Sequence, residues 1–152
     1  MQKNTKKHAV AKQQSETLIL LQDDILRADT LSIWQEVQQR LQLKSGAFNA
    51  ELQSRDALVY TPIRSNVLQI VRKEPYLTLQ GIYDTSVYKI KFTISAPRKI
   101  RRELLFSPVI DAREVTYEKR EMFRPDGHEP ETVRVNLDAN EIAELVFDEF
   151  LQ

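Results

Sequence analysis

Two hydrophobic rhythms divide the chain. From about Ser15 to Lys44 the apolar positions recur at helical spacing, and Ile19, Leu26, Ile33, Trp34, Val37 and Leu41 fall on one face. A second stripe, Leu18, Leu21, Ile25 and Ala28, lies well away from the first and occupies only the earlier half. The intervening residues are mostly Gln, Glu, Arg, Leu and Ala, which helices accept readily. Two arrangements account for the double stripe. The helix breaks near Asp29-Thr30, with Asp29 as a cap or Ser32 and Gln35 as a capping box. Alternatively it runs on, with one face on its own sheet and the other covered by a different surface. No Gly or Pro precedes Gly46, which favours the unbroken helix. Lys44-Ser45-Gly46 reads as its C-terminal stop. Residues 47–56 suggest no more than a short helical turn.

Beyond that point the period shortens. Leu58–Tyr60, Val67–Arg72, Tyr76–Tyr83 and Val87–Ser95 are short runs rich in β-branched and aromatic residues. The last is the clearest: Tyr88, Ile90, Phe92 and Ile94 alternate with Lys89, Lys91, Thr93 and Ser95, as in a strand with one wet face. Lys73-Glu74-Pro75 and Asp84-Thr85-Ser86 are too short for crossover helices, so neighbouring strands run antiparallel. Residues 96–112, with two prolines and a run of basic residues, carry no assignable pattern. Val115, Tyr117 and Phe123 pair with Val133, Val135 and Leu137 as a hairpin across Arg124-Pro125-Asp126-Gly127-His128. Asp138 and Glu141 then make a capping box, and Ile142, Leu145, Val146 and Phe150 form the apolar face of a closing helix. The expected plan is α+β: a long N-terminal helix, an antiparallel meander of about five or six strands, and a C-terminal helix, packed in two layers.

Composition adjusts this picture at the start of the chain. Residues 1–14 hold Lys3, Lys6, Lys7 and Lys12, no acid, and few strongly apolar side chains, so they read as a flexible basic tail. Residues 15–152 then form one domain. Over the whole chain of 152 residues, 22 basic side chains balance 22 acidic ones. Cysteine is absent, which excludes disulfides, thiolate metal sites and cysteine nucleophiles. The longest apolar run, Leu18-Ile19-Leu20-Leu21, falls far short of the ~20 residues of a membrane span. The basic start lacks the apolar stretch of a secretory signal. A soluble, cytoplasmic protein is expected.

Candidate chemistry is sparse. His8 lies in the tail and His128 in a turn, where neither is held as a catalytic base or as one of several zinc ligands. Gly46, Gly81 and Gly127 are isolated, so no phosphate-cradling loop is present; Gly81, inside a strand pattern, suggests a bulge. Asp23 and Asp24 point different ways on a helix, while Asp111 and Glu114 flank a strand start as ordinary surface acids. Tyr60, Tyr76, Tyr83 and Tyr88 fit core-facing sheet positions better than a pocket lining. No cofactor or metal is implied, and no reaction is identified.

Two features point to partners instead. Arg98, Lys99, Arg101 and Arg102, beside Lys89 and Lys91, suit an anion or a nucleic acid, although Glu103 follows at once and no aromatic is interleaved. Residues 138–152 are acidic with no base, opposite in sign to the tail. The leading expectation is a non-enzymatic binding or adaptor domain. It acts through protein–protein contacts of the N-terminal helix and a sheet face, with Leu18, Leu21, Ile25 and Ala28 joining two copies. A nucleic-acid accessory protein using the tail and the Arg98–Arg102 cluster is one alternative. A small enzyme or ligand carrier with a pocket between helix and sheet is another.

Overall fold

A computed structural model describes the backbone of residues 2–123 and 133–152 and the side chains of residues 21–122 and 133–152. Helix α1 runs Gln2–Glu51 without a break. Strands β1 (Leu58–Arg64), β2 (Val67–Lys73), β3 (Tyr76–Asp84), β4 (Lys89–Ala96), β5 (Lys99–Asp111), β6 (Glu114–Phe123) and β7 (Arg134–Leu137) follow, and α2 (Ala139–Leu151) closes the fold. The strands form one sheet in sequence order, and every neighbouring pair is antiparallel. The α+β meander with a helix at each end is therefore present, with seven strands rather than five or six. The turn expected over 124–128 lies outside the described residues. Among the described residues no helix is long and apolar enough to cross a bilayer.

The inner face of the sheet alternates as the period of two requires. Leu68 and Ile70, Leu77 and Leu79, Ile90, Phe92 and Ile94, and Leu104 and Phe106 are all buried. α1 lays Trp34, Val37 and Leu41 on this face, and α2 adds Ile142, Val146 and Phe150. Trp34 stacks on Tyr83 with ring centroids 5.9 Å apart, and Phe92 meets Phe106 edge to face at 6.0 Å. Gly81 does not mark a bulge. Its pairing with Leu68 and Phe92 is regular, and a Cβ there would meet the Phe92 ring at 2.6 Å, so glycine is needed to admit that ring.

Two features of the chain differ from the sequence reading. The helix does not stop at Lys44-Ser45-Gly46, because Phe48 still packs on Phe147 of α2, with centroids 6.5 Å apart. The stop comes later, at Gln53, with φ of 53°. The Ser54 N–H donates to the Asn49 carbonyl at 2.9 Å and the Gln53 N–H to the Ala50 carbonyl at 3.1 Å. That is a Schellman ending with glutamine where glycine is usual. Asn49 then clamps the start of β1, exchanging two side-chain hydrogen bonds of 2.8 Å with the Leu58 backbone.

The other difference is β5, the longest strand at 13 residues. Its first part pairs with β4 as far as Phe106, and the remainder pairs with β6 alone. Asp111 and Glu114 close a two-residue turn, so counting back places Pro108 at a position whose backbone faces away from β6. β4 has already ended there, so the missing proline N–H leaves no acceptor unpaired. Pro62 does the same on edge strand β1. The edge of β1 and the stretch of β5 beyond β4 are thus poor templates for an added strand.

Candidate functional site

α1 is the element that exceeds what the fold needs. Its 50 residues span about 75 Å, whereas the 13 residues of β5 reach about 44 Å. Among the described side chains the N-terminal-most hydrogen bond from α1 to the sheet is at Asp23, whose Oδ1 accepts from the Tyr88 hydroxyl at 2.6 Å. From there the helix is fastened repeatedly. The Thr30 and Tyr83 hydroxyls are 2.6 Å apart, and the Trp34 indole N–H donates to the Ser65 carbonyl at 2.9 Å. Tyr117 donates to the Tyr88 carbonyl at 2.9 Å, and Tyr88 holds a left-handed φ of 61°. The expected helix break at Asp29-Thr30 is absent; Thr30 is buried and bonds back to the Leu26 carbonyl.

This junction sets the titration of its members. The Tyr88 hydrogen bond, reinforced by Arg27, holds the Asp23 carboxyl below its ordinary range. The same bond to Asp23 raises the Tyr88 phenol. Burial raises the Tyr117 phenol further, with Tyr83 beside it acting in the same direction and Thr30 opposing.

The second stripe of α1 faces the other way. At about 100° per residue, Leu21, Ile25 and Ala28 lie roughly opposite Trp34, Val37 and Leu41. Leu21 is 54% exposed, Ile25 is half-buried and Ala28 is exposed. Leu18 precedes them on the same helical line; its side chain lies outside the described residues. The first stripe divides along its length: Trp34, Val37 and Leu41 are fully buried, Leu26 and Ile33 partly so, and the side chain of Ile19 is not described.

The basic cluster is distributed rather than gathered. Lys89 and Lys91 lie on the outer sheet face, where Lys91 pairs with Glu103 at 2.5 Å. Arg98, with φ of 74°, sits in the β4–β5 turn, and Lys99 and Arg101 are exposed on β5. Arg102 turns inward, opposite Ile94, and contacts the carboxylates of Glu149 on α2 and, at 4.0 Å, Glu121 on β6. Glu121 is 4% exposed and Lys119, two residues earlier on the same face of β6, is 2% exposed. Arg102, Glu121 and Glu149 therefore form a charged group between β5, β6 and α2, in which Glu121 is enclosed while Arg102 and Glu149 stay partly exposed. The signal for it was legible: Lys119 and Glu121 share the inward parity of Val115 and Tyr117. A shallow groove of about 630 Å³ lies over the β4–β5 turn, lined by Ser95, Arg98, Lys99, Ile100 and Glu103 among others.

The remaining candidates are separated. Asp111 and Glu114 are exposed partners across a turn, and Asp84 is bound to Ser86. Tyr83 is buried, Tyr60 and Tyr88 are half-buried and Tyr76 is exposed. His8 and His128 lie outside the described side chains. The outer face of the sheet carries exposed Ile82 and Met122 among Gln80, Thr93 and Ser95. No group of acidic or histidine side chains suited to a metal occurs among the described residues. Family models, curated proteins and solved structures, compared with this chain, give no match.

Proposed function

We propose that this chain is a cytoplasmic, non-catalytic binding domain that associates with a second copy of itself through α1 and presents its outer sheet face to other proteins. The observation that carries the reading is the line Leu21-Ile25-Ala28, exposed at Leu21 and Ala28 and half-buried at Ile25, on a helix whose opposite face is already committed to the core. Apolar residues at a spacing of three and four, continuing back to Leu18, form the narrow seam by which two helices pack. Residues 15–152 fold as one unit, and the basic segment before them adds a charged end to the seam. Within the layer between α1 and the sheet, Trp34, Tyr83, Phe92 and Phe106 fill the space with rings, which favours a packing role over a ligand cavity.

The test is the pair Leu21→Asp with Ile25→Asp. The variant should sediment as a folded monomer with unchanged far-ultraviolet circular dichroism from the sheet, while the unaltered chain sediments as a dimer at micromolar concentration. A variant that remains a dimer overturns the seam.

A further inference from the structure

Several cations of the sheet are paired within the chain. Lys91 meets Glu103, Lys73 meets Asp56, and Arg102 meets Glu149 and Glu121. The β4–β5 corner differs. Arg98, Lys99 and Arg101 are exposed there, and none of them has an ion-pair partner among the described residues.

The backbone is bent in two ways to make this corner. Only Pro97 and Arg98 stand between the paired Ala96 and Lys99, and Arg98 takes a φ of 74°. Proline followed by a left-handed residue is the pattern of a type II turn, where glycine fits without a steric cost. An arginine holds that position here. Farther along, Ser95 pairs with Ile100 and Ile94 with Arg102, so Arg101 is an extra residue opposite no partner. The bulge leaves Arg101 exposed while Arg102 faces inward, and the third cation stays at the corner.

These cations border a recess. A groove of about 630 Å³, within the range of ligand clefts, is lined by Ser95, Ala96, Arg98, Lys99, Ile100 and Glu103. Lys91 holds the Glu103 carboxylate at 2.5 Å, which leaves the charge of Arg98 and Lys99 uncancelled. Ala96 and Ile100, the latter 45% exposed, give the groove an apolar part. The Ser95 hydroxyl, with no hydrogen-bond partner among the described residues, gives it a donor. Ser95 pairs with Thr78 on the sheet face away from α1, so pairing of two copies through α1 leaves the corner open.

That combination discriminates among anions. A nucleic acid would set sugars and phosphates against Ile100 and Ala96 and find no aromatic ring in the groove on which to stack a base. A bilayer surface calls for apolar area that protrudes into it, whereas here the apolar part lines a recess. A short peptide stretch with Asp or Glu flanking an aliphatic side chain matches both parts, its carboxylates at the three cations and its aliphatic group at Ile100. We propose that the β4–β5 corner is a docking groove for an acidic segment of a partner protein that carries an aliphatic side chain between its carboxylates. This rests on the reading that the outer sheet face is presented to other proteins, and it names the chemistry of the partner.

The test is fluorescence anisotropy of a labelled peptide, Glu-Leu-Asp-Glu-Leu-Asp, titrated with the complete chain at low ionic strength. The peptide should bind, and Lys99→Glu with Arg101→Glu should weaken it about tenfold. Arg98→Gly separates binding from folding, because it removes the guanidinium and supplies the residue that the turn prefers. It should weaken the peptide about threefold while the urea midpoint does not fall. Replacing both leucines of the peptide by serine should cost about threefold, through the lost contact with Ile100. Absence of binding by the natural chain overturns the groove, and so does binding that the corner variants leave unchanged. Tighter binding of an oligothymidylate of equal charge overturns the choice of a peptide. Sedimentation of the same samples reads self-association separately. A monomer that binds the peptide refutes pairing through α1 and leaves the groove standing, and a dimer that fails to bind it does the reverse.

Discussion

The two halves of α1 have similar helix-forming compositions and opposite fates. Residues 30–51 carry Thr30, Trp34, Val37, Leu41 and Ser45 in a buried line, each hydroxyl or indole bonded to a neighbour, and the helix ends by clamping β1 through Asn49. The preceding half has as many aliphatic residues, yet among the described side chains its N-terminal-most hydrogen bond to the sheet is the Asp23–Tyr88 pair. The difference lies in direction, not hydrophobicity. Leu26 continues the buried line, but a second apolar line, Leu21, Ile25 and Ala28, points away from the face on which the second half is buried. Helical propensity and the lack of Gly and Pro carry the backbone through both halves. Burial depends on which neighbours are within reach.

If that division is right, substitutions in the embedded region should cost stability and leave association alone. The largest effect is expected at the charges between β5, β6 and α2. Arg102→Ala removes the cation in contact with Glu121 and Glu149 and should destabilise the fold by about 3 kcal/mol, read as a lowered urea midpoint. A change within 0.5 kcal/mol would mean that the group is wetter than its burial implies. Gly81→Ala should cost about 1–3 kcal/mol, since its Cβ collides with the Phe92 ring and the core has no slack to receive it.

Tyr117 sharpens the comparison through pH. Its folded-state pKa is raised above the unfolded value, so its contribution is fully present below about pH 10 and is lost as pH rises past that point. Melting temperature followed from pH 8 to 11 should fall more steeply for the natural chain than for Tyr117→Phe, which has no phenol to ionise. Equal slopes would remove Tyr117 as the source of the alkaline limb. The smallest effect is a gain: Gln53→Gly should stabilise by about 0.5 kcal/mol, by relieving the left-handed φ of 53° at the end of α1. A loss of stability there would show that the Gln53 side chain contributes more than its backbone strain costs.

Local signals were the legible ones. The capping box that opens α2 needs only Asp138 and Glu141, four positions of chain, and both of its hydrogen bonds are present. The alternation of β4 was equally plain, because Lys and Thr separate its core residues. β5 was not, since Arg101, Arg102 and Glu103 precede its apolar stretch and Leu105 and Pro108 interrupt the alternation. Its identity depends on pairing with β4 and β6. Gly81 required knowing that Phe92 lies across the ladder. Gln53 offers no glycine to read, and the true end of α1 is set by Phe48 reaching Phe147, nearly a hundred residues later. As for the site, the seam residues could be named from spacing alone, but not the inward turn of Arg102. Arg102 keeps the inward parity of Leu104 and Phe106, which shows only once β5 is paired with β4.

Sedimentation equilibrium of the complete chain at micromolar concentration tests most directly whether the first half of α1 serves association while the second half serves the fold. The expected result is a species of twice 17.7 kDa that falls to 17.7 kDa, still folded, in the Leu21→Asp with Ile25→Asp variant. A natural chain that sediments at 17.7 kDa across that range would contradict it.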